Sequence, residues 1–323
     1  MNIAIFEQFH KEGLISDQSL ERIKKTESEK LFSIHWELRT LLYLGVLLLT
    51  GGLGILIYKN IDTIGHQVIL ALIALLCAGC FFYCERNKPP FSFEKVKSPN
   101  VYFDYILLLG CLTLLTFITY LQVQYNIFGD RYGLATFIPM IILFYCAYYF
   151  DHLGVLSMAV ANLAAWMGIA VTPLKIFKAN NFADAQIIFA GLLLGGLLVL
   201  MARFSITKKI KSHFCFTYLN FGMNILFISC IAGMFYFDSF YLLWLVPLIA
   251  LVYYFYRQAI AISSFYFMLM LTLYAYVGIS YVVTQLLLFD NIGTTYLALM
   301  YFIASGIYVI LFLIRMNKKL KKQ

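Results

Sequence analysis

Ten apolar runs, each close to the length of a bilayer-spanning helix, constrain this chain more than any other feature. The first covers Trp36–Asn60 (WELRTLLYLGVLLLTGGLGILIYKN), with a charged start, a Gly-rich apolar stretch and a polar end. At about 1.5 Å per residue, its apolar part nearly matches a hydrocarbon core of roughly 30 Å and predicts a transmembrane helix. Nine further runs follow, at about 66–84, 103–123, 133–150, 152–171, 185–203, 214–236, 240–256, 259–286 and 294–314.

The composition indicates that most of the chain lies in a membrane. Hydrophobic residues make up 62% of it and charged residues only 12%, well below the usual share in soluble domains. We therefore expect an all-α protein, a polytopic transmembrane helical bundle of about ten spans within residues 39–314. Residues 1–38 carry helix-ending and helix-capping residues at Gly13, Ser16 and Asp17 and predict a cytosolic helical hairpin. Residues 315–323 predict a basic cytosolic tail.

The distribution of lysine and arginine predicts the orientation of these spans. With the N-terminus in the cytoplasm, 20 of the 24 basic residues fall in segments on the cytoplasmic side. Only Lys59, Arg131, Lys175 and Lys178 fall outside. Cytoplasmic loops retain positive charge during insertion, and one miscounted span would invert every later loop. Both termini are therefore predicted to be cytoplasmic.

Several function classes are disfavoured by the sequence. The net charge of +8 comes from loops and tails beside apolar runs, so membrane topology explains it better than nucleic-acid binding. All seven cysteines lie in or at the ends of apolar runs. Cys77, Cys80 and Cys84 have no His or acid at ligand spacing within their run. We therefore expect the cysteines to be packing residues, and we expect no metal or cofactor. No G-x-x-x-x-G-K-[ST], G-x-S-x-G or H-E-x-x-H string occurs. An enzymatic activity is left open but not favoured.

Two predicted exits from the membrane carry a family resemblance. The Gly-rich first span contains Gly45, Gly52 and Gly54 and ends in Asn60. The third span leaves through QVQYNIFGD, where Tyr125, Gly129 and Asp130 form an aromatic-x-x-x-Gly-Asp exit. Together with the acidic hairpin before them, these segments resemble the bacterial membrane-protein family catalogued as domain of unknown function 2157, over about residues 10–170. The resemblance implies a bacterial inner-membrane location and no defined activity.

Three predicted outer turns share a short pattern. Asn60, Asn126 and Asn291 are each followed by Ile, with a Gly close behind, after a Gly-bearing apolar run. This pattern raises the hypothesis that helical hairpins are duplicated in the bundle. Asn and Gly are also ordinary turn residues, so a simple turn preference is the alternative.

The polar side chains inside the predicted spans are neutral ones. A charge in the middle of the bilayer costs about 2.5–3.5 kcal/mol, and the spans carry none there, which argues against a carrier built on buried carboxylates. Amides remain: Asn220 and Asn224 share a helix face, Asn162 is placed likewise with Trp166, and Gln285 lies late in its span. We interpret these five residues as candidate ligand contacts, with interhelical hydrogen bonding as the alternative.

Titratable and polar groups also gather at the predicted outer surface. This polar rim comprises Asn60, Asp62, His66, Gln124, Tyr125, Asp130 and Arg131. If the first four spans form one bundle, these side chains converge on a shallow polar site. Helix capping is the alternative role for the Asp62 and His66 pair.

Two hypotheses for function follow. The first is an inner-membrane protein that binds or transports a small or lipid-like ligand in a cavity lined by Tyr, Phe and amides, since 24 Tyr and 30 Phe exceed what interface belts need. The second is a scaffold or regulatory subunit that docks a cytosolic protein through its N-terminal hairpin. An enzyme acting on lipid headgroups at the outer rim is a third. The basic tail is also expected to contact anionic lipid.

Overall fold

A computed structural model of the chain describes residues 10, 12, 15–19, 21, 35–129, 131–171, 185–287 and 292–320. Residues 1–63 and 64–323 form two compact units. The described residues contain ten α-helices, which we number in chain order: α1 (His35–Ile64), α2 (His66–Asn87), α3 (Val101–Tyr125), α4 (Tyr132–Phe150), α5 (Leu153–Val171), α6 (Ala185–Lys208), α7 (Cys215–Tyr236), α8 (Tyr241–Ala261), α9 (Phe265–Leu287) and α10 (Ile292–Leu320). Short 3-10 turns at Ser212–Phe214 and Asp238–Phe240 precede α7 and α8.

Each of the ten predicted runs corresponds to one of these helices, which confirms the prediction of an all-α polytopic membrane protein. Eight of them, α2–α4 and α6–α10, are long and apolar enough to cross a membrane. The apolar stretches described in α1 and α5, Thr40–Ile55 and Leu153–Gly168, are shorter. Most of the predicted hairpin, residues 1–34, lies outside the described residues.

Two predicted breaks between spans are displaced in the structure. The turn expected at Arg257-Gln258 is wrong, because both residues extend the end of α8 and the chain turns at Ser263, whose φ is 51°. Charged and amide side chains at a helix end reach polar surroundings without ending the helix. Likewise, α1 continues through Asn60 to Ile64, and the break falls at Gly65 (φ 81°), a conformation that favours glycine.

The C-terminal helix is longer than the predicted span. α10 continues to Leu320, so residues 315–320 of the basic tail are helical. Lys318 and Lys319 lie in its last turn, where positive charge is favourable beside the unpaired carbonyl groups.

Within residues 64–323, consecutive helices pack as hairpins. α2 packs with α3, α4 with α5, α6 with α7, and α8 with α9, while α10 packs on α9. α7 is the most buried of the spans and also contacts α5, α8 and α9. Large apolar side chains are exposed on the outer faces of several helices, as expected where lipid is the solvent; examples are Leu243 and Ile249 of α8 and Leu299 and Tyr308 of α10.

Small residues set the closest helix crossings. A methyl group on Gly195 of α6 would lie 2.6 Å from Leu226 Cγ and 3.1 Å from the carbonyl oxygen of Gly222 on α7. At the crossing of α2 and α3, a methyl group on Gly110 would lie 3.0 Å from Cys80 Cβ, and the Cys77 thiol donates to the carbonyl oxygen of Gly110 (3.6 Å). All seven cysteines are buried free thiols within the helices. These contacts fit the packing role predicted for small residues in membrane helices.

Candidate functional site

The amides predicted as ligand contacts on α7 lie against tyrosines of α9. The Asn224 amide group donates to the carbonyl oxygen and to Oδ1 of Asn220, at 2.8 and 3.0 Å. Tyr266 donates its hydroxyl hydrogen to Asn220 Oδ1 (2.9 Å), and Tyr274 donates to Asn224 Oδ1 (2.7 Å). Both amide oxygens are therefore acceptors for phenols across the interface between α7 and α9.

The other end of the same interface holds Gln285. Its amide group donates to Asp238 Oδ1 (3.0 Å) and to the hydroxyl oxygen of Tyr281 (3.1 Å). Tyr281 donates in turn to Asp238 Oδ1 (2.9 Å). Asp238 is exposed in the turn between α7 and α8, so its carboxylate stays at the membrane boundary while Gln285 and Tyr281 are half-buried.

These contacts form two hydrogen-bonded groups along one interface, which we together call the polar seam. Asn220, Asn224, Tyr266 and Tyr274 form the first group, and Asp238, Tyr281 and Gln285 form the second. The α9 members are spaced eight, seven and four residues apart, which puts them on one helix face. From Tyr266 to Gln285 the helix rises about 28 Å, nearly the thickness of the hydrocarbon core. Two phenylalanines pack beside the seam. Phe227 stacks on Tyr274 with ring centroids 5.1 Å apart, and the ring centroids of Phe235 and Tyr281 are 4.3 Å apart.

The other two predicted ligand contacts lie elsewhere. Asn162 donates to the carbonyl oxygen of Met158 in its own helix, α5 (3.2 Å). Trp166 packs against α4, with its ring centroid 5.1 Å from that of Phe137. The structure therefore brings Asn220 and Asn224 together and places Gln285 at the far end of the same seam. Asn162 is bonded within α5, and Trp166 lies at the contact between α4 and α5.

The predicted outer rim is described only in part. His66 Nδ1 lies 2.7 Å from the hydroxyl oxygen of Tyr120, which joins α2 to α3. Gln124 and Tyr125 at the end of α3 and Arg131 before α4 are exposed. The side chains of Asn60, Asp62 and Asp130 lie outside the described residues.

A glutamine that the predicted rim does not include organises the exit of α3. Gln122 is buried, and its Nε2 donates to Asn126 Oδ1 (3.0 Å) and to the carbonyl oxygen of Gly129 (3.1 Å). Its Oε1 accepts from the backbone N–H of Phe128 (3.0 Å). All of its hydrogen-bonding groups serve the turn, in which Asn126 (φ 47°) and Gly129 (φ 57°) adopt left-handed conformations. The sequence predicted Gln124 as the member of the rim. Gln124 lies on a different face of α3, and spacing alone does not show which of the two glutamines faces the turn.

A cluster of charges lies at the opposite end of the bundle, where three connections meet. The Asp151 side chain, between α4 and α5, is only 3% exposed. Its Oδ2 lies 3.1 Å from Lys211 Nζ and accepts from the backbone N–H of Val96 (2.6 Å), and its Oδ1 lies 2.6 Å from His213 Nε2. Lys211 is 1% exposed and also donates from Nζ to the carbonyl oxygen of Glu94 (3.3 Å). One buried carboxylate thus ties the connection between α2 and α3 to the connection between α6 and α7.

A second carboxylate adjoins this arrangement. His152 is buried, and its Nδ1 accepts from the backbone N–H of Val155 (3.1 Å), so Nε2 carries a hydrogen; Nε2 lies 3.8 Å from Asp104 Oδ1. Asp104 Oδ1 also accepts from the Ser98 hydroxyl (2.5 Å). We call Asp104, Asp151, His152, Lys211 and His213 the charge cluster. Across the described ranges, no group of three or more His, Cys, Asp or Glu side chains is arranged to hold a metal ion.

The sequence did not predict the charge cluster, although it held a usable signal. In the sequence, Asp151 and His152 mark only the break between two apolar runs, and the basic residues of Arg203–His213 indicate only the orientation of the spans. The charge count had nevertheless placed these connections and residues 85–101 on one side of the membrane, where their side chains can meet. The missed tyrosines Tyr266, Tyr274 and Tyr281 also carried a signal, since their spacing puts them on one face of α9.

The fold and the composition define a polytopic integral membrane protein with apolar helices long enough to span a bilayer. Residues 7–156 match the model of a family described as "Predicted membrane protein (DUF2157)", which confirms the resemblance predicted from the sequence. That family is one of unknown function. Comparison with curated proteins and with solved structures found no match.

Proposed function

We propose that this integral membrane protein binds and transports a small or lipid-like ligand along the polar seam between α7 and α9. The observation that carries the proposal is the length of the seam, since its hydrogen-bonded side chains extend over about 28 Å along α9. Interhelical hydrogen bonds between neutral side chains add only about 0.6 kcal/mol each in membrane proteins. A full line of them is more than helix association requires.

The chemistry of the seam suits a ligand with a neutral polar group and an apolar part. Phenol hydroxyls and amides both donate and accept hydrogen bonds, so they can exchange their mutual bonds for bonds to a ligand. Within the helices, the side chains of the seam are half-buried, except that Tyr266 is 36% exposed. An apolar part of the ligand would contact Phe235, which packs on Tyr281 and is 55% exposed.

We also propose that the protein resides in a bacterial cytoplasmic membrane with both termini in the cytoplasm. The positive charge of the loops supports this orientation. Contacts between connections agree with the grouping of the loops by side, because residues 93–96, 151 and 211–213, all assigned to one side by the count, bond to one another. Asp238 and Gln285, both assigned to the outer side, also bond to each other.

Thiol labelling tests the transport proposal at the middle of the seam. Tyr274→Cys in the full-length protein is exposed to a small, charged, membrane-impermeant methanethiosulfonate reagent, which reacts only with thiols that water reaches. The seven native cysteines are buried, and the wild-type chain gives the background labelling. We expect Tyr274→Cys to react well above that background.

Ile279→Cys is the matched control. Ile279 lies five residues further along α9 on a different face and is 51% exposed on the lipid-facing surface of the chain. We expect this thiol to stay unlabelled, because lipid excludes the charged reagent. Protection of Tyr274→Cys, or equal labelling at both positions, would refute a polar path along the seam.

A further inference from the structure

The connection between α2 and α3 presents aromatic rings to its surroundings. It runs from Lys88 to Asn100, and its Asn100 side chain caps α3 by accepting from the backbone N–H of Phe103 (2.7 Å). Phe91 and Phe93 are 51% and 59% exposed and meet edge to face with centroids 5.3 Å apart. Two exposed rings in a connection that joins membrane-spanning helices lie where the chain leaves the bilayer, a depth at which aromatic side chains are favourable.

Lysines surround these rings from two connections. Lys95 and Lys97 are exposed in the same connection, and Lys208 and Lys209 are exposed at the end of α6. The backbone N–H of Lys211 donates to the carbonyl oxygen of Phe93 (2.8 Å), so residues 95 and 209 each lie two positions from a direct contact between the connections. We call Phe91, Phe93, Lys95, Lys97, Lys208 and Lys209 the lysine–phenylalanine patch.

The charged groups beneath the patch are paired with one another, so the exposed lysines determine the sign of the charge at its surface. Lys211 is buried against Asp151, and Lys88 lies 2.5 Å from Glu85. Glu94 is the one acid in the connection; it is exposed, and its carboxylate offsets one of the four exposed lysine charges. The surface of the patch therefore remains positive and combines exposed ammonium groups with two exposed aromatic rings.

We propose that the lysine–phenylalanine patch binds the headgroups of anionic phospholipids, with Phe91 and Phe93 inserted beside the headgroups. Basic residues near a membrane surface are attracted to anionic lipid, and an adjacent apolar group adds area buried in the interface. The partner is a lipid rather than an acidic protein because both connections begin and end at membrane-spanning helices, which hold the rings at the membrane surface. This patch is separate from the basic tail and from the polar seam.

Lipid binding to the full-length protein tests the proposal. The detergent-purified chain is titrated with fluorescent phosphatidylglycerol at low salt, and with phosphatidylcholine as the neutral counterpart. We expect Lys95→Gln/Lys97→Gln to weaken phosphatidylglycerol binding roughly 10- to 30-fold. Each basic residue near the surface raises the affinity for anionic lipid by a factor of about ten or less. Phosphatidylcholine binding should not change. Lys208→Gln/Lys209→Gln provides a second test of the same surface, and both pairs are exposed, so we expect normal folding.

Arg131→Gln/Arg257→Gln, at exposed positions before α4 and near the end of α8, is the matched charge control. The proposal requires that this variant retain wild-type affinity and that Phe91→Ser/Phe93→Ser lose affinity for phosphatidylglycerol. It is overturned if the loop and control variants lose affinity equally, or if the loop variants bind as the wild type does. Displacement of the lipid by millimolar inorganic phosphate would also overturn it, because the patch would then be a site for free anions. Binding of an acidic protein without binding of phosphatidylglycerol would also overturn the proposal.

Discussion

The charge cluster and the polar seam both bury polar side chains, but they do so with different chemistry. The charge cluster lies where the connections between helices meet, and it pairs Asp151 with Lys211 and His213. The seam lies along the helices and uses phenols and amides, with its one carboxylate, Asp238, exposed at the end. The difference follows from solvation, since charges are costly in hydrocarbon and neutral hydrogen-bonding groups much less so. We therefore expect the cluster to govern stability and the seam to be available for a ligand.

Lys211→Met should have the largest effect on stability. Methionine is unbranched and only one atom shorter than lysine, but it leaves the buried Asp151 carboxylate without its ammonium partner, a change that typically costs about 3–5 kcal/mol. The free energy of unfolding of the detergent-solubilised protein, from titration with a denaturing detergent, measures it. Lys88→Met is the control, because Lys88 and Glu85 are partly exposed and their pair contributes about 1 kcal/mol or less. Equal losses in the free energy of unfolding of the two variants would contradict a special role of the charge cluster in stability.

Gly195→Ala tests whether close packing, rather than hydrogen bonding, holds the interior together. Its methyl group would meet Leu226 and the backbone of Gly222, so we expect a loss of about 1–3 kcal/mol in the free energy of unfolding. The neighbouring Gly196→Ala meets no atom within 4 Å and should be neutral or stabilising, since alanine favours helix by up to about 1 kcal/mol. A loss in Gly196→Ala as large as that in Gly195→Ala would argue against this crossing as the constraint.

Gln122→Leu extends the comparison to the end of the bundle opposite the charge cluster, where a neutral amide holds the turn. The substitution leaves the N–H of Phe128 and the carbonyl oxygen of Gly129 without their side-chain partner, which typically costs about 1–3 kcal/mol. Gln124→Leu, at an exposed position of the same helix, should change the free energy of unfolding little. The opposite order of effects would show that the glutamine nearer Tyr125 is the important one.

Tyr274→Phe should have the smallest effect. It removes one hydroxyl and its hydrogen bond to Asn224, worth about 0.6 kcal/mol, while the ring keeps its stacking on Phe227. Unfolding of Tyr274→Phe, Asn224→Leu and the double variant gives the coupling between the two side chains. A coupling above about 2 kcal/mol would mean that the seam is a structural element like the charge cluster.

The sequence predicted the helices better than the contacts between them. Apolar length placed the ten helices, because the bilayer imposes that length on any spanning segment. The break at Ser263 was missed because hydropathy does not register backbone turns, and a charged residue such as Arg257 can lie within a helix. Asn220, Asn224 and Gln285 were found because amides stand out in apolar runs. Their partners Tyr266, Tyr274 and Tyr281 were not, because tyrosine is common throughout this chain and only packing shows which ones face α7.

A cysteine scan along α9 tests the central claim most directly, because it asks whether a polar path follows the seam through the membrane. Single cysteines replace Tyr266, Tyr274, Tyr281 and Gln285 on the seam and Ile279 on the exposed apolar face. Labelling by the charged thiol reagent is then measured for each full-length variant. We expect the four seam positions to react and Ile279→Cys to stay protected. Reaction confined to Tyr266→Cys and Gln285→Cys, at the two ends of the helix, would contradict the account, because the middle of the seam would then be closed to water and to a polar ligand.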